Sequence, residues 1–150
     1  MVYKRILVAV DGSDTSILAM QEAIALAKDQ QATLKLVYVV DEFMVVSEGV
    51  PFDFKKYEAS IRKHGQSILN KMEALAKKEG LSIESSLIEN TDYSTRIPEK
   101  IVQESINWQA DLIIIGTHGR RGFSHLMLGS VAEGVIRLAS IPVLLIRGKE

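Results

Sequence analysis

The chain has 150 residues, 47% hydrophobic and 25% charged, with 18 Lys+Arg against 19 Asp+Glu and no cysteine. That size suits one domain, spanning 1–150, that buries roughly two-thirds of its surface, and the composition excludes wholesale disorder. Disulfides and thiolate-ligated zinc are ruled out, and near-neutrality gives no support for general nucleic-acid binding. The apolar runs are too short for membrane insertion, and Met1-Val2-Tyr3-Lys4-Arg5 lacks a signal-peptide core, so the expected setting is cytoplasmic.

Ile6-Leu7-Val8-Ala9-Val10 is a continuous apolar run ending at the turn-like Asp11-Gly12-Ser13-Asp14. Such a run reads as a strand buried on both faces, because a half-exposed strand would alternate. Ser13 or Asp14 then caps a helix through Ala27, with Ile17, Met20, Ile24 and Ala27 as its apolar stripe. Leu34 to Val40 reads as a second strand. The irregular stretch from Asp41 to Phe54 holds Phe43, Met44, Val45, Val46, Val50 and Phe52. It is too apolar for a simple solvated linker, and three roles stay open for it: covering the domain edge, covering a ligand, or meeting another subunit.

Lys55 to Lys78 carries Ile61, Ile68, Met72 and Leu75 at helical spacing, and Gly80 supplies a stop. Ser82 to Ile88 reads as a third, shorter strand. Pro98 suits the first turn of a helix to Trp108, since its missing N–H costs nothing there, and Ile101, Val102 and Ile106 are placed toward the sheet. Asp111-Leu112-Ile113-Ile114-Ile115-Gly116 gives a buried fourth strand and an immediate turn. A helix from Ser130 to Ala139 and the strand Val143 to Ile146 complete the chain. Five strands separated by helical segments predict a three-layer α/β domain, a mostly parallel five-stranded sheet with helices on both faces.

The chemistry concentrates between Gly116 and Ser130, where the chain leaves an apolar strand and enters a helix. Gly116, Gly119 and Gly129 permit close backbone approach, and a helix start offers unpaired N–H groups at the positive end of its dipole. No Asp or Glu occurs from Leu112 through Ala132, whereas Arg120 and Arg121 do. That favours an anionic small ligand. The competing reading is purely structural: Ser130 caps the helix and Glu133, three residues on, completes a capping box. Walker A is excluded because Gly129-Ser130 has no lysine between its members, and Asp11-Gly12-Ser13-Asp14 lacks the G-x-G-x-x-G dinucleotide fingerprint. A Ser130–His118–Asp11 triad lacks the G-x-S-x-G elbow. His118 and His125 suggest no third metal ligand, His64 falls in a charged helix, and Trp108 reads as local packing.

The spacing G-x2-G-x9-G-[ST] is nevertheless complete across Gly116, Gly119, Gly129 and Ser130. Together with the opening Ile6-to-Ser13 segment and the terminal Pro142-Val143-Leu144-Leu145-Ile146, it resembles the universal stress protein family over nearly the whole chain. The resemblance implies strand order 3-2-1-4-5, a homodimer paired through Val143–Ile146, and the ATP-binding branch of the family. It places the ligand where strand order reverses, outside the carboxyl ends of strands 1 and 4. Val10 and Asp11 would face adenosine, with Asp11 near the ribose or a hydrated metal. The Val39 backbone would read adenine, Ile115 and Gly116 would line the nucleoside, and Gly119, Gly129, Ser130 and Val131 would hold phosphates. The implied ligand is ATP with Mg2+ or Mn2+, and the implied role is a regulatory stress-response protein that couples occupancy to dimer or partner contacts. Two alternatives stand beside it, a nucleotide-independent dimeric interaction module and a slow ATPase or phosphotransferase.

Overall fold

The computed structural model describes residues 2–41, 54–91, 94–118 and 128–148. Its elements run β1 (Arg5–Ala9), α1 (Asp14–Gln30), β2 (Thr33–Asp41), α2 (Phe54–Lys78), β3 (Ile83–Asn90), α3 (Ile97–Asn107), β4 (Leu112–Gly116), α4 (Ser130–Leu138) and β5 (Val143–Ile146). The five strands form one sheet of order β3-β2-β1-β4-β5, and every pairing is parallel. Strand order therefore reverses beside β1, whose neighbours are β2 and β4.

The continuous apolar run of β1 is explained by two cores. Ile6, Val8 and Val10 point to the face covered by α1 and α2, with Leu34, Leu36, Leu112 and Ile114. Leu7 and Ala9 point to the opposite face, packed with Val37, Ile113 and Ile115 against Ile101 and Val102 of α3 and Ala132 and Val135 of α4. Period-two side chains with a helix layer on each face require apolar residues at every position. The edge strand β5 is only half-buried throughout.

Three apolar assignments along the helices fail. Ile17 is 37% exposed, Leu75 43% and Ile106 57%. In α1 the buried stripe runs through Ser16, Ala19, Met20, Ala23 and Ala27. These mostly small residues bring the helix close to the sheet and leave Ile17 at the margin. In α3 the stripe is Ile101, Val102 and Ser105, so Ile106 turns outward. In α2 it runs through Gly65, Ile68, Leu69, Met72 and Ala76. Gly65 is buried for lack of space, since a Cβ there would lie 2.7 Å from the Tyr38 ring. Most of the stretch from Asp41 to Phe54 lies outside the described residues; Asp41 itself ends β2 and Phe54 opens α2.

Trp108 is buried as local packing. Its ring carries the Arg5 guanidinium 4.1 Å from its centroid, and its indole N–H donates to Glu84 at 2.6 Å. This cluster lies where β1 begins, at the end of the sheet opposite the strand carboxyl termini.

Candidate nucleotide site at the carboxyl edge of the sheet

The register fixes which residues meet at that carboxyl edge. Ala9 is level with Val37 on one side and with Ile115 on the other. The Val10 amide continues the ladder by donating to the Val37 carbonyl at 2.9 Å. Asp11 follows two residues past the last paired position of β1, as Val39 follows Val37 in β2 and Thr117 follows Ile115 at the end of β4. Thr117 in turn accepts a hydrogen bond from the Gly129 amide at 2.7 Å, which brings the start of α4 to the same edge.

The two helix starts at this edge differ. At α1, Ser13 is the N-cap and its side chain accepts from the Ser16 amide. Asp11 Oδ1 accepts from the Ser13 amide at 2.9 Å, an Asx turn that anchors the carboxylate. Gly12 adopts φ 85°, the left-handed region that favours glycine, and its amide donates to Ser16 Oγ at 3.1 Å. At α4 the N-cap is Gly129, which has no side chain to cap the helix. Ser130 is the first helical residue and is exposed. Glu133 is bound to Arg137 at 2.6 Å, one turn on. The capping-box reading of Ser130 and Glu133 is thereby overturned: Ser130 is one position too late to cap, and the Glu133 carboxylate is engaged elsewhere. Among the described residues, the first amide of α4 with a backbone acceptor is that of Glu133, which donates to the Gly129 carbonyl.

The remaining sequence-assigned residues divide by what their side chains do. Val10 and Ile115 are 5% and 6% exposed and belong to opposite cores, so only their backbones can meet a ligand. Val39 and Val131 are half-buried against the α3/α4 core. Gly116 closes β4 with no room for a side chain, because a Cβ would lie 2.6 Å from Thr15 Cγ2. Gly119, like Arg120, Arg121 and His125, falls outside the described residues. His118 Nδ1 is hydrogen-bonded to Thr117 Oγ1 at 2.9 Å. Among the described residues no group of three or more His, Cys, Asp or Glu is placed to hold a metal ion.

Sequence reasoning missed Thr15 and Thr117. Thr15 packs the first turn of α1 against Gly116, and Thr117 ties α4 to the sheet. Neither sits in a motif, since each role depends on a neighbour distant in sequence.

Residues 2–147 match the profile described as the Universal stress protein family. The chain belongs to that family. A universal stress protein of Methanocaldococcus jannaschii is 34% identical over 145 residues, covering 97% of this chain and 82% of that relative. Among solved structures, a family protein from Burkholderia pseudomallei is 32% identical with a TM-score of 0.77, covering 97% of this chain and 96% of the other. A universal stress protein from Archaeoglobus fulgidus, solved in complex with dAMP, is 27% identical with a TM-score of 0.66, covering 97% and 99%. Family membership carries a general stress-response role, and the fold agrees in strand order and in the helix layers on both faces.

Proposed function

We propose that this stress-response protein binds ATP, with Mg2+ or Mn2+, at the carboxyl edge between β1 and β4, and that occupancy biases dimer or partner contacts. The observation that carries the reading is the start of α4. Its N-cap, Gly129, offers no capping side chain, and the Gly129 amide is tied to the carbonyl of Thr117 just beyond the carboxyl end of β4, beside the reversal of strand order. Backbone amides at a helix start bind phosphate without a lysine, and a ligand at that reversal is the general expectation for open α/β sheets. The dAMP complex of the Archaeoglobus fulgidus relative supports an adenine nucleotide as the class.

In this reading Asp11 contacts the ribose or a hydrated cation, and the Val39 backbone meets adenine. Val10, Ile115 and Gly116 line the nucleoside with main-chain atoms, while Gly119, Gly129, Ser130 and Val131 hold phosphates. Magnesium suits one carboxylate plus phosphate oxygens, because it keeps several waters. Coupling would run through Thr117, whose amide donates to the Ile146 carbonyl at 2.9 Å while its own carbonyl accepts from Gly129. Edge strand β5 is half-buried, and Ile136 and Leu138 of α4 are 42% and 48% exposed. These favour a homodimer through Val143–Ile146, which would remove the open edge, or docking of a regulatory protein there.

Calorimetric titration of nucleotide-stripped protein with ATP, ADP and AMP, with and without magnesium, tests the ligand. Saturable ATP binding that weakens in Ser130→Ala is expected, and no heat with any adenine nucleotide overturns the proposal. Sedimentation at several concentrations, with and without ATP, tests the coupling. An assembly state indifferent to ATP would leave a nucleotide-independent interaction module as the better account. Multiple turnovers to ADP would instead identify a slow ATPase.

A further inference from the structure

Charge is distributed unevenly over this nearly neutral chain. Phe54–Lys78 carries seven Lys or Arg against two Glu, whereas the rest of the chain holds eleven against seventeen. The positions of α2 that are exposed include Lys55, Lys56, Arg62, Lys63, Lys71, Lys77 and Lys78, and no carboxylate. Its two glutamates are half-buried, and Glu73 is occupied by Lys77 at 2.9 Å and by the Ser85 hydroxyl at 3.0 Å. Arg62 is paired with Glu89 of β3. Lys55, Lys63, Lys71 and Lys78 form no ion pair among the described residues. At 100° per residue these cations spread over about half of the helix circumference, and 25 residues make a rod of about 37 Å. The opposite face of α2 is committed to the core through Ile68, Leu69, Met72 and Ala76.

We propose that the outer face of α2 docks on an anionic lipid bilayer, held by electrostatics alone. The band is broad and runs from Lys55 to Lys78 along the whole helix, which fits a plane better than a single polyanionic strand. Its cations are almost all lysines, which act as point charges without the planar fork that reads phosphate or carboxylate geometry. A specific protein partner would call for buried aromatic or arginine anchors, and the exposed positions of α2 carry Leu75 as their one large apolar side chain. Sequence-specific reading of a duplex would draw on bidentate arginine, and the single arginine of α2 is held by Glu89. With its apolar stripe buried in the core and Leu75 as the one large apolar side chain at its exposed positions, α2 has no apolar face to insert, so the contact stays at headgroup level. Each lysine near an anionic leaflet strengthens binding roughly fivefold, and screening sets in within a Debye length.

Vesicle co-sedimentation of the full chain tests this, comparing phosphatidylcholine alone with phosphatidylcholine containing about 30% phosphatidylserine. The wild type should bind the anionic vesicles at about 50 mM salt and release them at about 500 mM. Lys63→Glu/Lys71→Glu should weaken binding at least about tenfold while keeping its circular dichroism and urea midpoint. Lys4→Glu, an exposed lysine on β1's approach, should bind as the wild type does. Equal sedimentation with both vesicle types overturns the proposal, as does a double variant that binds like the wild type. It is equally overturned if the double variant loses affinity for a duplex oligonucleotide or for polyglutamate while anionic vesicles are ignored. None of these outcomes depends on whether ATP binds.

Discussion

The amide of Gly129 donates to the carbonyl of Thr117 across 2.7 Å, and this contact decides why a glycine stands at 129. Its φ of −63° is open to any residue. Space is what forbids a side chain: a Cβ would sit 2.9 Å from the Thr117 oxygen and 3.5 Å from His118 Cα. Both neighbours are backbone, so neither can swing aside. Gly129→Ala should therefore lower stability by about 1–3 kcal/mol, the usual cost of overpacking, in urea melts without nucleotide. An unchanged midpoint would show that the closure relaxes freely. Loss of ligand binding in this variant is not by itself a statement about phosphate.

Ser130→Ala is the cleaner probe. A serine at the N-cap would cost about 1 kcal/mol on removal, but Ser130 lies one position inside the helix and is exposed. Its replacement by alanine should change the urea midpoint by no more than about 0.5 kcal/mol in free energy. A drop in ATP affinity at unchanged stability then reports on the hydroxyl. A full capping cost would restore the competing structural role.

The strands and the parallel sheet were legible because β1, β2, β4 and β5 are short, apolar runs separated by helical spacing, the pattern a parallel sheet demands, whereas their order came only from the resemblance to the universal stress protein family. The margins of the helices were not legible. Ile17 and Ile106 fit an apolar spacing but lie outside the stripes set by Ser16, Ala23 and Ser105, where small residues let the helices approach the sheet. At the site, Gly116, Gly129 and Ser130 stood out by residue type and spacing, and Asp11 only through the family resemblance. The partition of their roles did not: whether Gly116 makes room for a ligand or for Thr15, and whether Ser130 or Gly129 caps α4, depends on contacts between segments far apart in sequence.

Gly116 and Thr15 should behave as a coupled pair. A Cβ at 116 would meet Thr15 Cγ2 at 2.6 Å and Thr15 Cβ at 3.1 Å, and Thr15 is buried. Gly116→Ala should destabilise, and Thr15→Ser, which deletes Cγ2, should recover part of the loss. A double-mutant cycle by denaturant melts should give a coupling of about 0.5–3 kcal/mol. Additive effects would mean that the clash is resolved by backbone movement instead.

Glu73 gives the fold a defined acid response. Its carboxyl is held below its ordinary value of 4.5, first by the hydrogen bond to Lys77 and then by that from Ser85, against a smaller opposing effect of burial. A depressed carboxyl contributes stability in full above the unfolded value. That contribution is lost as pH falls from 4.5 through the lower folded value. Ser85→Ala should therefore be less stable than the wild type at pH 7, and the gap should narrow in melts repeated below that range. A gap independent of pH would assign the Ser85 effect to packing.

Asp11 can be dissected by its two acceptor functions. Its Oδ1 organises the turn into α1 by accepting from the Ser13 amide at 2.9 Å, and in the proposed function its charge serves the ligand. Asn keeps a carbonyl oxygen for the Asx turn and removes the charge, whereas Ala removes both. Asp11→Asn should keep stability within about 0.5 kcal/mol, and Asp11→Ala should lose about 1 kcal/mol from the unmade hydrogen bond. If the carboxylate holds a hydrated cation, Asp11→Asn should weaken ATP binding with magnesium and leave or improve binding without it, since a negative charge beside phosphates is then gone. If the carboxylate instead accepts from a ribose hydroxyl, affinity should fall by a similar factor in both conditions. Titration with and without magnesium separates the two roles, and an Asp11→Asn variant that binds like the wild type in both would remove Asp11 from the site.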